Sequence, residues 1–274
     1  MTTRASKHAT RPAAFTLIEL LVVIGVIAIV MSILIPALHK ARETAKRTIC
    51  AVHERDIGVG ITMYAQQYKD LLPPPLFRKH PGFPWRSCVA YTIDTSAPYG
   101  SHITGVYNLG YLYKTNLVQD PKVFYCPSQS VNVNYYNGLN YAYDGYRDEA
   151  HPWPWNAQPW HDGNTRISYD YYPQSKSSKG AAPYDAYPAI TAKLSDVDDT
   201  RAMLTDKLFD LEYLVHRSSS GARPNGINVL YGDTHVEFAT NGAAFDPAIW
   251  GTGTDRPNEN PISFRQIFHL LNSN

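Results

Sequence analysis

The sequence predicts an α+β protein, with a long N-terminal helix laid on an antiparallel β-sheet head that carries long loops. Three observations carry that expectation. From Phe15 to Leu38 the chain runs 24 residues with a single charge, Glu19. Apolar residues then recur at helical spacing as far as Tyr68. From Leu76 onward the composition turns to tyrosine, proline, glycine and asparagine, a mix that favours short strands and ordered loops.

Composition sets the outer bounds. The 274 residues are 44% hydrophobic and 18% charged, enough for a sizeable core. The formal net charge is +1, so no bulk field draws nucleic acid, and none is expected as a partner. Three cysteines are too few for a disulfide scaffold.

The N-terminal elements come first. Residues 1–14 hold Arg4, Lys7 and Arg11 and no acid. A helix over Phe15–Leu38 would be about 36 Å long, against a hydrocarbon core of about 30 Å. The basic flank holds the N-terminus in the cytoplasm and places the rest of the chain outside it. A cleaved secretory signal would have an apolar region of only about 7–15 residues before a small-residue cleavage site. Here His39, Lys40, Ala41 and Arg42 continue a helical pattern instead. A plain signal anchor explains the span but not Glu19, because a carboxylate inside a span costs on the order of 2–3 kcal/mol.

Past the span, Ala41, Ala45, Ile49, Val52, Ile57, Ile61, Tyr64 and Tyr68 form an amphipathic stripe. Gly58 and Gly60 weaken it, and Leu71–Pro75 ends it. One helix from about Phe15 to Lys69 would be about 80 Å long, with a bend at Pro36. In the head, Gly105–Lys114 reads as a short helix or strand, and Val123–Ser130 as a strand ending in a proline turn. Residues 131–190 read as long loops with few regular elements. A strand is expected at Arg201–Thr205. Gly226–Ala239 is a β-hairpin turning at Gly232–Asp233. Residues 261–272 read as a terminal helix with Phe264, Ile267, Phe268 and Leu271 on one face.

Candidate chemistry is sparse. Asp206, His216, Asp233 and His235 are the candidate metal ligands, since imidazole plus carboxylate can hold zinc or a similar ion. No His-x-x-x-His or Cys-x-x-Cys spacing supports them, and an aspartate in a turn more often bonds its own backbone. Asp196–Asp199 and His161–Asn164 offer oxygen ligands for calcium or another divalent ion, without an EF-hand pattern. No other cofactor is expected. No nucleophile elbow, phosphate loop or dinucleotide fingerprint is present, so no enzyme is expected. Trp153, Trp155 and Trp160 lie among prolines in "HPWPWNAQPW" and are candidate stacking faces for a glycan or secreted partner, or else cover the core.

The stretch "AAFTLIELLVVIGVIAIVMSILIPAL" resembles the class III signal of type IV pilins and type II secretion pseudopilins. The resemblance implies that prepilin peptidase cuts between Ala14 and Phe15 and methylates the new Phe15 amine. Ala14 stands where the family normally has glycine. Glu19 is then the fifth mature residue, and Pro36 falls where the family often has proline. Glu19 would meet the Phe15 amine of a neighbouring subunit, because pairing relieves a charge held in lipid. The implied partners are other pilin-like subunits, prepilin peptidase, an inner-membrane assembly platform and membrane lipid. The implied place is the bacterial inner membrane, with a single pass, a cytoplasmic N-terminus and an extracytoplasmic head. Assembly would carry the head into a periplasmic or extracellular filament.

The implied organisation is a cleaved leader at 1–14, a transmembrane and assembly helix at 15–38, an amphipathic helix at 39–70 and a β-rich head at 71–274. Because spine and head pack together in this pilin-like architecture, a Cys50–Cys126 disulfide is a further expectation. The segment after the span is similar to a pseudopilin-like group with a C-terminal His…Asp-Gly signature. Cys50, Ile57–Gly58, Tyr64, Asp70, Pro73, His216 and "NVLYGDTHVEF" carry that likeness, with Thr234 in place of glycine. An alternative is a single-span anchored binding protein that does not polymerise.

Overall fold

The computed structural model describes residues 16–76, 87–94, 103–129, 153, 164–179, 188–208, 211, 214–216, 224, 226–251, 257 and 260–272. It divides into two compact units, Met1–Arg42 and Glu43–Asn274. Helix α1, Leu17–Gln67, begins in the first and ends in the second, with Pro36 inside it. In the first unit its apolar side chains, Ile18, Ile24, Ile33 and Leu34 among them, are exposed. By length and composition this helix can cross a membrane.

In the second unit α1 buries Cys50, Glu54, Ile57, Gly58, Gly60, Ile61, Tyr64 and Ala65. The expected stripe is right from Ile57 to Tyr64 and wrong before and after it. Ala41, Ala45, Ile49, Val52 and Tyr68 are exposed. The inward line is Cys50–Glu54–Ile57–Ile61–Tyr64, at alternating spacings of four and three, and one of its members, Glu54, is charged. Gly58 and Gly60 belong to the packed face. A Cβ at Gly60 would meet Val118 Cγ2 at 3.0 Å, and one at Gly58 would meet Leu230 Cδ1 at 2.9 Å. The helix closes where Lys69 (φ 55°) and Asp70 (φ 69°) turn left-handed ahead of Pro73.

Among the described residues the head holds three antiparallel sheets. Strands β1 (Val89–Asp94), β2 (Ile103–Val106) and β3 (Asn164–Arg166) pair in the order β2-β1-β3. Strands β4 (Tyr169–Tyr171), β5 (Gln174–Lys179), β6 (Pro188–Ile190), β7 (Ala202–Asp206), β8 (Ile227–Tyr231) and β9 (Val236–Ala239) complete the set. They form a four-stranded sheet, β4-β7-β8-β9, and a two-stranded one, β5-β6. Residues 164–190 therefore carry four strands where long loops were expected. Polar residues such as Asn164, Gln174 and Ser175 are buried within them and hide the usual apolar alternation.

The Gly105–Lys114 region resolves into both expected forms, the end of β2 and then helix α2, Gly110–Lys114. Pro121–Phe124 is a 3-10 turn capped by Asp120, which corrects the strand expected at Val123–Ser130. Proline at its first position, with no N–H to donate, suits a helical start. The terminal helix is present as α4, Pro261–Leu270, after a single turn α3, Pro247–Trp250.

Strands β4, β7 and β8 of the four-stranded sheet are buried on both faces, while β9 at its edge is partly exposed. Along β8, Leu230 joins the core that holds Cys50, Ile57, Ile61 and Tyr64 of α1. Ile227, Val229 and Tyr231 join a second core with Phe264, Ile267 and Phe268 of α4. Period-two alternation thus sends alternate residues into two cores. This long helix with antiparallel sheets behind it agrees with the α+β, pilin-like expectation.

Candidate functional site

Two places collect the candidate residues. At the start of α1, Thr16 and Glu19 form a reciprocal cap. Glu19 Oε2 accepts from Thr16 N and Thr16 Oγ1, both at 2.8 Å, and Thr16 Oγ1 accepts from Glu19 N at 3.3 Å. This is a capping box, which satisfies amides that a helix start leaves open. The signal was in the sequence as Thr-x-x-Glu. Ala14 and Phe15 lie outside the described residues.

The second place is buried in the head. Cys50 on α1, Cys126 after the 3-10 turn, Asp206 at the end of β7 and His216 bring their ligand-type atoms within 4.8 Å of one another. Cys50 Sγ donates to Asp206 Oδ1 at 3.1 Å and lies 3.3 Å from Tyr169 Oη. His216 Nε2 is 3.4 Å from Asp206 Oδ2 and 3.8 Å from Cys126 Sγ. His216 Nδ1 is 2.9 Å from Glu43 Oε1, and Ser128 Oγ donates to the same oxygen at 3.0 Å. Asn228 N donates to Asp206 Oδ2 at 2.8 Å. Glu54, one turn after Cys50, is fully buried, and among the described residues neither of its oxygens has a hydrogen-bond partner.

The electrostatics follow from burial. Burial pushes the Cys50 thiol well above its usual range, and the hydrogen bond with Cys126 and the Asp206 charge push the same way. Burial likewise raises Glu54 well above the carboxylate range, aided by Asp206 and Cys126. At Cys126, burial raises the thiol, but the bond from Cys50 and the His216 imidazole outweigh it and bring it down. Burial alone would lower His216; Cys126 and Asp206 reverse that and carry it to about 9.

The four proposed metal ligands therefore separate. Asp206 and His216 come together, with the two cysteines as their neighbours. Asp233 and His235 pair with each other in the exposed β8–β9 turn, where Asp233 also accepts from His235 N at 3.0 Å. None of Cys50, Cys88 and Cys126 is in a disulfide here, and the Cys50 and Cys126 sulfurs are close neighbours. Trp153 is buried. It stacks on Phe124 at 5.0 Å between centroids, and its Nε1 donates to Tyr125 Oη at 2.8 Å. Its face is taken by the core, the second of the two readings its sequence offers. Trp155 and Trp160 lie outside the described residues, as do residues 161–163.

In the acidic loop Asp198 caps its own turn through Thr200 N, and Asp196 accepts from Ser175 Oγ at 2.8 Å. Glu43 and Glu54 escaped sequence reasoning because a glutamate on an amphipathic helix ordinarily reads as solvated. The four-residue step from Cys50 to Glu54 was the available signal.

Comparison with known proteins gives one finding. The prokaryotic N-terminal methylation motif matches residues 10–35, which enclose Phe15 and Glu19. No curated protein and no solved structure matches the chain. The motif and the apolar helix it opens fit a membrane-anchored protein. The chain thus carries the prepilin signal of type IV pilin-like proteins.

Proposed function

We propose that this protein is a structural pseudopilin-like subunit of a type II secretion or type IV pilus-like filament. Prepilin peptidase cuts it between Ala14 and Phe15 and methylates the Phe15 amine. The apolar part of α1 then holds it in the inner membrane until an assembly platform draws it into a filament with other pilin-like subunits. The observation that carries this reading is the motif at residues 10–35 on a helix whose apolar stretch contains one charge, Glu19. The neighbour's Phe15 amine gives Glu19 a partner that lipid does not. Docking would then exchange Glu19's local bonds with Thr16 for that ion pair.

The test is the mature N-terminus, read by terminal-peptide mass spectrometry on membrane fractions. The expected chain begins with N-methylated Phe15; one retaining residues 1–14 overturns processing. Glu19→Ala, compared with wild type in sheared filament fractions, should lower incorporation at least tenfold while leaving head melting unchanged. Undiminished incorporation would remove the pairing.

A further inference from the structure

The buried cluster has the geometry of a metal centre. Cys50 and Asp206 are 0% exposed, His216 1% and Cys126 2%. Cys50 Sγ lies 3.1 Å from Asp206 Oδ1, and His216 Nε2 lies 3.4 Å from Asp206 Oδ2 and 3.8 Å from Cys126 Sγ, while one ligand atom from each of the four falls within 4.8 Å of the others. A tetrahedral zinc ion, with bonds of about 2.3 Å to sulfur and about 2.0–2.1 Å to nitrogen or oxygen, needs edges of about 3.3–3.8 Å. His216 is oriented for it. Its Nδ1 is bonded to Glu43, so its Nε2 is the atom turned toward Asp206 Oδ2 and Cys126 Sγ, with the Asn228 amide at 3.2 Å, which the ion would displace. A carboxylate behind a metal-binding histidine fixes the tautomer and the ring plane in this way.

Charge points the same way. Two thiols and Asp206 are buried together, Glu54 is buried within electrostatic reach of Asp206 and Cys126, and among the described residues His216 is the basic side chain in contact with them. Asp170 shows how this fold treats a carboxylate that the protein itself satisfies. It accepts from Lys207 Nζ at 2.7 Å, from Leu208 N at 2.6 Å and from the Ser87 hydroxyl. Glu54 is equally buried and has no such partner among the described residues. Buried acids left without partners are costly, and a divalent cation beside them removes that cost.

We propose that Cys50, Cys126, Asp206 and His216 form a closed four-ligand zinc site, with Glu43 orienting His216 and Glu54 lying beside the ion. Four protein ligands leave no position for substrate, so the site is structural. It ties α1 to β7 and to the segments around residues 126 and 216. The proposal is independent of filament assembly. A Cys50–Cys126 disulfide is the rival, and it would leave Glu54 and the His216–Glu43 pair without a purpose.

The full-length chain is purified in detergent, reduced, freed of metal and titrated with Co²⁺. One ion per chain is expected, with the intense visible bands of tetrahedral cobalt–thiolate, and Zn²⁺ should displace it. Cys126→Ser should weaken binding and reduce the sulfur-to-cobalt band to that of the one remaining thiolate, Cys50. Glu43→Gln replaces a residue at the cluster's edge and should keep the fold while weakening affinity about 10–100-fold. Wild-type binding by both variants, or no cobalt uptake by the reduced chain, overturns the site. So does a cross-linked Cys50–Cys126 peptide without zinc in chain isolated from membranes without reductant.

Discussion

Helix α1 contains two apolar stretches, and the chain's own head buries only one of them. Leu17 is 87% exposed and Ile33 68%, whereas Ile57 and Ile61 are at 0%. The first stretch is apolar on every side, which is the composition of a helix surrounded by lipid or by other helices. No face is preferred, so side-chain shape carries little information there. The second stretch has one inward face, and shape decides it. Glycines admit neighbouring leucine and valine side chains, and a cysteine and a glutamate sit where leucine would be the default. Apolar content therefore says where the chain meets lipid, and close fit says where it meets itself.

The largest expected effect tests that contrast directly. Ile61→Ala should cost about 2–5 kcal/mol of head stability, through lost transfer energy and the cavity left behind. Ile27, 47% exposed, should cost the head almost nothing when changed to Ala. Urea melts in detergent, followed by near-ultraviolet circular dichroism, read both. Equal losses would mean that the two stretches are not different in kind.

A smaller effect comes from the glycines. Gly60→Val should destabilise by about 1–3 kcal/mol, because the branched side chain must displace Val118 and Leu112. Gly25 has nothing within 4 Å of its would-be Cβ. Gly25→Ala should therefore leave the head melt unchanged and add up to about 1 kcal/mol of helix propensity. A head destabilised by Gly25→Ala would show that the first stretch is packed after all.

Much of the scaffold was legible in the sequence, for identifiable reasons. Long-period signals survived: the span, the helix to Gln67, the β8–β9 hairpin and α4 were all readable, because each repeats its pattern over several turns or alternations. The hairpin held one surprise. Thr234 occupies a left-handed position, at φ 71°, so the turn accepts the strain of a β-branched residue. The site was half legible. Asp206 and His216 were found by residue type, but their grouping with Cys50 and Cys126 spans up to 166 positions of sequence that only the fold closes. The strands over 164–190 were missed because polar residues fill buried positions there.

The smallest effect lies where α1 stops being one helix and becomes part of the head. Asp70 accepts from Ser195 N at 3.0 Å and from the Ser195 hydroxyl, which fastens the helix end to the 3-10 turn Leu194–Asp196. The Ser195 hydroxyl bond, more than any other cause, holds the Asp70 carboxyl below its usual range, and slight burial opposes it. A carboxylate with a depressed folded-state pKa stabilises the fold above its unfolded value of about 3.9, and that contribution disappears as pH falls through the folded value. The gap in melting temperature between wild type and Asp70→Asn should therefore be present at pH 7 and shrink below about pH 4. Parallel melting curves across that range would mean that the charge on Asp70 contributes nothing, and that the left-handed turn at Lys69–Asp70 alone ends the helix.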